Sequence, residues 1–293
     1  MKHLAFGMHD YAKSCCELYT SLPGAKPLKH AASPFLPDGS LIAEDDEVRG
    51  ELSSNACKVL MKTLWLGRLA RPDIVRAITG LARKVTRWSK NDDRQLYRLM
   101  CYIHSSLEYT MTGTINDPPS DLRLELYVDA DFAGDREDAL STNGGWLVLC
   151  GPNSYFPLTW VSKVQSSVSR STSESEIVAL AHSLFLEALP MCAMWDMILG
   201  RSVDLVIHED TKAAILIAES GFSSKLRHIS RTHKVNISSI RDEVTKDGVS
   251  LQHIPTNMQA ADIFTKALEV QKWAAALNML SIHAYRPESW EDT

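Results

Sequence analysis

The spacing of hydrophobic positions changes character along this chain. From Glu51 to about Tyr109, apolar residues recur at helical intervals in "SSNACKVLMKTLWLGRLA", "RPDIVRAITGLARKVTRWS" and "NDDRQLYRLMCYIHSSLEYT", and these three stripes predict three helices. Pro72 suits the first turn of the second helix, and Asn91 with Asp92 offers a cap for the third. Residues 20–50 are rich in Pro, Gly and Ser and contain one acidic run, so 1–50 is expected to be an extended linker ahead of a helical segment at 51–112. The loop "GTINDPPSD" closes that segment.

From Leu122 the pattern shifts to alternation. "LRLELYVDA", "GGWLVLCG" and "YFPLTWVSKV" are short apolar runs separated by turn residues, which predicts an antiparallel meander. A long apolar helix follows in "STSESEIVALAHSLFLEALPMCAMWDMIL", opened by a Ser/Thr cap with Glu behind it. Next come a strand "VDLVIHED", a helix "TKAAILIAES", a basic stretch "KLRHISRTHK", a helix to about Thr245, a strand "VSLQHIP" and a helix "MQAADIFTKAL". The expected fold is therefore α/β: a mixed sheet over 120–270, with three antiparallel strands and then alternating helix and strand. A small all-helical segment precedes it, and 271–293 is expected to be a C-terminal helix and tail.

Composition narrows the chemistry. The 293 residues are 45% hydrophobic and 23% charged, ordinary globular values, and the net charge of -5 leaves no overall basic footprint for nucleic acid. Any such contact needs a local patch or metal ions. Arg71, Arg76, Arg83, Lys84 and Arg87 offer one patch, with a solvated helix face as the alternative. The six cysteines show no CxxC pair and no zinc-ligand spacing, so they read as free thiols of a reducing compartment. The N-terminus lacks a signal-peptide core, and no uninterrupted apolar run reaches the length of about 18 residues that a spanning helix needs. An intracellular protein, cytoplasmic or nuclear and without a membrane partner, is expected.

The acids raise a sharper question. In "LYVDADFAGDRED", Asp129 and Asp131 share one face at the end of a strand; either they enter water as a turn begins, or a cation sits between such acids. Asp210 ends another strand, Glu176 lies early in the long apolar helix, and Asp262 opens the helix "ADIFTKAL". Each has a local alternative: a capping box for Glu176, a helix dipole for Asp262. Together they offer the hard oxygen ligands that two Mg²⁺ or Mn²⁺ ions take when a phosphodiester is hydrolysed.

"YVDADFAGD", "STSESEIVALA", "HEDTKAAI" and "IPTNMQAADIFTKAL", in this order, resemble the ribonuclease H domain of copia-type retrotransposon polyproteins. The upstream "ELSSNACKVLMKTLWLGRLARPDIVRAITGLARKV" and "LEYTMTGT" are similar to the segment that joins reverse transcriptase to it. The resemblance implies that Asp129, Glu176, Asp210 and Asp262 are catalytic carboxylates holding two Mg²⁺ ions, with Mn²⁺ able to substitute, and that Asp129 bridges the ions. It places Asp131 as a neighbour facing solvent or supporting the ligands. Glu174 and Glu209 are competing positions, expected to point away because neighbours along an element do. The implied reaction is hydrolysis of the RNA strand of an RNA/DNA hybrid, with the polymerase part of the same polyprotein as a partner. Gln165, Ser167, Ser169, Arg170 and Ser171 are candidate contacts to the hybrid, and so is a second group containing Lys225, Arg227, His228, Arg231 and His233. His253 is either a partly buried structural histidine or a proton relay near the last acid. Two departures are visible: no Y-x-D-D polymerase turn is present, and Thr211 and Lys212 stand where the family carries Asn and Gln. The alternatives are an inactive nucleic-acid-binding fragment that keeps the fold, or another nuclease or integrase built on it.

Overall fold

The computed structural model describes residues 2–134 and 139–284. They form two compact units, one built on 113–266 and the other on 5–112 with 267–284. The last part of the tail expected at 271–293, residues 285–293, lies outside the described residues.

The chain starts with a strand, β1 (Lys2–Phe6), and a helix, α1 (His9–Thr20). Residues 1–50 are therefore not linker throughout. Ala12, Cys15, Cys16 and Tyr19, spaced for one helix face, are buried. Three further helices, α2 (Ala56–Leu69), α3 (Val75–Ala82) and α4 (Lys90–Ser105), follow the three stripes. The cap of α4 is Ser89 rather than Asn91: Asp92 N–H donates to Ser89 Oγ at 3.3 Å and Ser89 N–H returns to Asp92 Oδ2 at 2.8 Å, a reciprocal capping box. Arg71 does not face phosphate. It is buried, pairs with Asp73 at 2.8 Å, and donates to Ser106 O at 2.8 Å. The strand β2 (Tyr109–Ile115) leads into the other unit.

That unit is the expected mixed sheet. Strands β3 (Arg123–Asp131), β4 (Thr142–Gly151) and β5 (Ser154–Val164) form the antiparallel meander. Helices α5 (Thr172–Ser183) and α6 (Leu189–Leu199) follow, joined by a π-helical turn at Leu184–Ala188. The chain then alternates through β6 (Leu205–Glu209), α7 (Lys212–Ser220), α8 (Ile229–Thr232), α9 (Ile237–Val244), β7 (Val249–His253) and α10 (Asp262–Thr265). Strand order is β5-β4-β3-β6-β7, with β6 parallel to β3 and β7 parallel to β6. Helix α11 (Val270–Met279) and strand β8 (Ile282–Ala284), which pairs with β2, belong to the helical unit.

Alternation along β3 explains the layering. Leu124, Leu126, Val128 and Ala130 enter a core with Ile177 and Leu180 of α5 and with Leu205 and Ile207 of β6. Thr172–Leu199 is long and apolar enough to cross a membrane by length and composition, but its first half is the core helix of this sheet, with Ile177, Ala179 and Leu180 fully buried.

Candidate metal centre

Asp129 sits near the end of β3, on the face opposite Val128, and is almost fully buried. Its antiparallel partner is Gly144, where a Cβ would lie 2.5 Å from Thr265 Cγ2 and 2.9 Å from Ala261 O. That missing side chain lets α10 close on the sheet. Two ties hold the approach: Gln259 Nε2–H donates to Val128 O at 2.9 Å, and Ser162 Oγ–H donates to Phe264 O at 2.6 Å. Helix α10 thereby brings Asp262, Thr265 and Lys266 to Asp129. Thr265 Oγ1–H donates to Asp129 Oδ2, and the Lys266 ammonium donates to Asp129 Oδ1 at 3.0 Å and to Asp262 Oδ1 at 2.7 Å.

Asp210 follows the last residue of β6, and Thr256 Oγ1–H donates to its Oδ2 at 2.9 Å. Asp129, Asp210 and Asp262 each place one carboxylate oxygen within 4.8 Å of the others. A second group with the same spacing contains Glu176, Glu209 and Asp210. All four acids expected from the sequence thus occur in one or other of two groups that share Asp210.

Glu209 corrects the expectation that it points away. It does alternate to the face opposite its neighbours, joining Leu205 and Ile207 on the core side, where it pairs in register with Val128. At the strand end that face is the one to which α5 delivers Glu176. One Glu209 oxygen accepts Thr211 N–H at 3.0 Å; Oε2, like Glu176 Oε2, is buried with no hydrogen-bond partner among the described residues.

Crowding of buried acids sets their protonation. Burial first, then the charges of Glu209, Asp129 and Asp210, push the Glu176 carboxyl up to about 11, against the pull of Lys266. Burial drives Glu209 well above the usual carboxylate range. Asp262 is raised to about 6 by burial and by Asp129, with Lys266 opposing. Burial lowers the Lys266 ammonium, but Asp129 and Asp262 outweigh it and the group ends well above its ordinary value. Lys266 therefore stays charged between two acids.

The other expected site residues divide. Asp131 is half-buried at the end of β3 and belongs to neither acid group. Glu174 turns away from the centre: Arg170 N–H donates to its Oε2 at 3.0 Å, while His228 Nε2 and His233 Nε2 lie 3.0 and 3.3 Å from its Oε1. His228 is thus occupied inside the domain, and the His233 ring is enclosed beside the same carboxylate rather than presented to substrate. Gln165 and Ser169, expected at the hybrid, are buried instead. Gln165 Nε2–H donates to Asn143 Oδ1 at 2.7 Å and to Ser175 O at 2.9 Å, and Ser169 Oγ–H donates to Gln165 Oε1 at 2.6 Å. Ser171 caps α5 by accepting Glu174 N–H at 3.2 Å, and Ser167 Oγ–H donates to Thr232 O at 2.9 Å. Arg170, Lys225, Arg227 and Arg231 remain exposed, Arg227 lying over the Phe222 ring at 5.8 Å. His253 is exposed at the end of β7, not partly buried. Lys212 is exposed at the start of α7 and makes no ion pair with the acids among the described residues.

Two charged residues of the centre escaped the sequence. Lys266 carried a signal, since Asp262 and Lys266 stand four apart, the spacing of a helical ion pair. Glu209 carried none, because face alternation argued against it.

No family model matches the chain. It is 27% identical over 253 residues to the "Retrovirus-related Pol polyprotein from transposon RE1" of Arabidopsis thaliana, and 28% identical over the same length to that from transposon RE2. These alignments take in 86% of this chain but 16% of each relative. A solved structure described as LC11-RNase H1, isolated from compost, covers 49% of this chain and 92% of its own at 17% identity and a TM-score of 0.35. At that score the assignment of the sheet rests on its own strand order. Over most of its length the chain is thus similar to the retrovirus-related Pol polyproteins of plant transposons, of which it spans about a sixth.

Proposed function

We propose that the acidic centre hydrolyses the RNA strand of RNA/DNA hybrids as a metal-dependent ribonuclease H of a retrotransposon. The observation that carries this is the convergence of Asp129, Glu176, Asp210 and Asp262, from four separate elements, on two adjoining groups of oxygens. An all-carboxylate donor set with buried, unpartnered oxygens on Glu176 and Glu209 fits hard divalent cations, Mg²⁺ with Mn²⁺ as substitute. When bound, such ions activate water and stabilise the leaving oxygen of a phosphodiester.

The chain's own residues do the rest. Thr265 and Lys266 fix the Asp129 carboxylate through both oxygens, so its direction is set before any ligand arrives. Thr256 and Thr211 do the same for Asp210, at Oδ2 and Oδ1. Exposed Arg170, Lys225, Arg227 and Arg231 are the side chains left to meet backbone phosphates, since Gln165 and Ser169 are consumed internally. The polymerase part of the same polyprotein is the partner that goes with this reading, in an intracellular setting. Lys212 points to no ion pair with the acids, so it gives no reason to prefer an inactive fragment.

The test is cleavage of a labelled hybrid by the purified chain, with Mg²⁺, Mn²⁺ or chelator, beside single-stranded RNA and duplex DNA. Metal-dependent cutting confined to the hybrid is expected. Asp129→Asn should reduce it by about a thousandfold or more with the fold intact, whereas Asp131→Asn should cost less than about tenfold. Full activity in Asp129→Asn would remove the basis of the assignment.

A further inference from the structure

We propose that Glu209 is a fifth metal ligand; this rests on the reading above. The two acid groups differ in how their charge is met. In the first, Lys266 bonds Asp129 and Asp262 directly. In the second, Glu176, Glu209 and Asp210 bring carboxylate oxygens within 4.8 Å, and no ion pair with a described residue reaches any of the three. Glu209 is fully buried and Glu176 is 3% exposed, yet an oxygen of each has no hydrogen-bond partner among the described residues.

A buried, unpaired carboxylate oxygen costs free energy unless something binds it. Two such oxygens together, both on acids, call for a cation, whereas a structural role would leave them bonded to backbone or side-chain donors. Thr211 N–H engages one Glu209 oxygen and orients the carboxylate without saturating it. Asp210 is the acid common to both groups, so Glu209 stands directly beside the acids expected to hold the ions.

The experiment is calorimetric titration of the chelator-stripped full chain with Mn²⁺, with melting measured in chelator. Wild type is expected to bind two ions. Glu209→Gln should bind one, or the second at least about tenfold more weakly, and its melting point in chelator should not fall, because an amide of the same shape fills the same space. Glu209→Asp, which keeps the charge on a shorter arm, should recover part of the second binding event and carries the test if the Gln variant folds poorly. Two ions bound by Glu209→Gln at wild-type affinity would overturn the inference and leave the broader reading standing. A wild type that binds no Mn²⁺ would defeat both. A single ion that is lost in Asp129→Asn and unchanged in Glu209→Gln would defeat the inference alone.

Discussion

At the scale of single residues, the centre is a balance between one ammonium and five carboxyls. Lys266 bonds Asp129 and Asp262, so Lys266→Met should leave those acids facing each other without a counter-charge. Melting in chelator is expected to fall by a few degrees, on the order of 1 kcal/mol, and the rise on adding Mn²⁺ to exceed that of wild type. Equal melting of the two proteins in chelator would show that the ammonium contributes nothing. The sign of the pH dependence follows from Glu176, whose folded value is raised from 4.5 to about 11. Across that window the folded chain holds a proton that the unfolded chain has lost, so the metal-free protein loses stability as pH rises. The slope is best read between about pH 7 and 8.5. His182 and His233, which burial lowers from 6.5, are neutral in both states there. Calorimetry in chelator should show a falling melting point over this interval and a shallower fall in Glu176→Gln; an unchanged slope in the variant would mean that Glu176 is not the group holding the proton.

At the scale of elements, the centre depends on how closely α10 meets the sheet. Gly144 has no need of an unusual backbone angle; its value is the absent side chain opposite Asp129, against which Thr265 and Ala261 pack. In Gly144→Ala, a methyl 2.9 Å from a carbonyl oxygen has to push backbone, and a cost of about 1–3 kcal/mol is expected. Because α10 carries Asp262 and Lys266, metal affinity should fall along with stability. A variant that loses stability and keeps wild-type affinity would show that α10 is free to readjust. The placement of this glycine was not legible in advance: "TNGGWLVLC" reads as a strand start, and only the register with β3 shows which glycine lies against the acid. The cap of α5 was legible, because Ser171 and Glu174 bond through local backbone geometry.

At the scale of the whole molecule, every acid of the centre lies in the unit built on 113–266, while α1 to α4 lie in the other. Cation binding should therefore be read first in one unit. Hydrogen exchange followed with and without Mn²⁺ is expected to slow in peptides covering the ends of β3 and β6 and in α10, with α1 to α4 unchanged. Equal slowing in α1 to α4 would mean that the cations act somewhere other than the acids named here.

What the sequence determined by itself was whatever depends on neighbours along the chain. The helical stripes over 53–110, the alternation in β3 to β5 and the cap of α5 are set by periodicity and short-range bonding, and the structure follows them. The motifs also singled out four acids at element ends, which the fold brings into two adjoining groups. Tertiary structure decided what depends on residues far apart. It turned Gln165 and Ser169 inward, since Asn143 and the start of α5 offer them bonds that no local pattern reveals. It set Lys266 between acids 137 and four residues away. It also drew Glu209 under α5, because the face a side chain takes is a local matter, while what stands over that face is settled only when the helix packs.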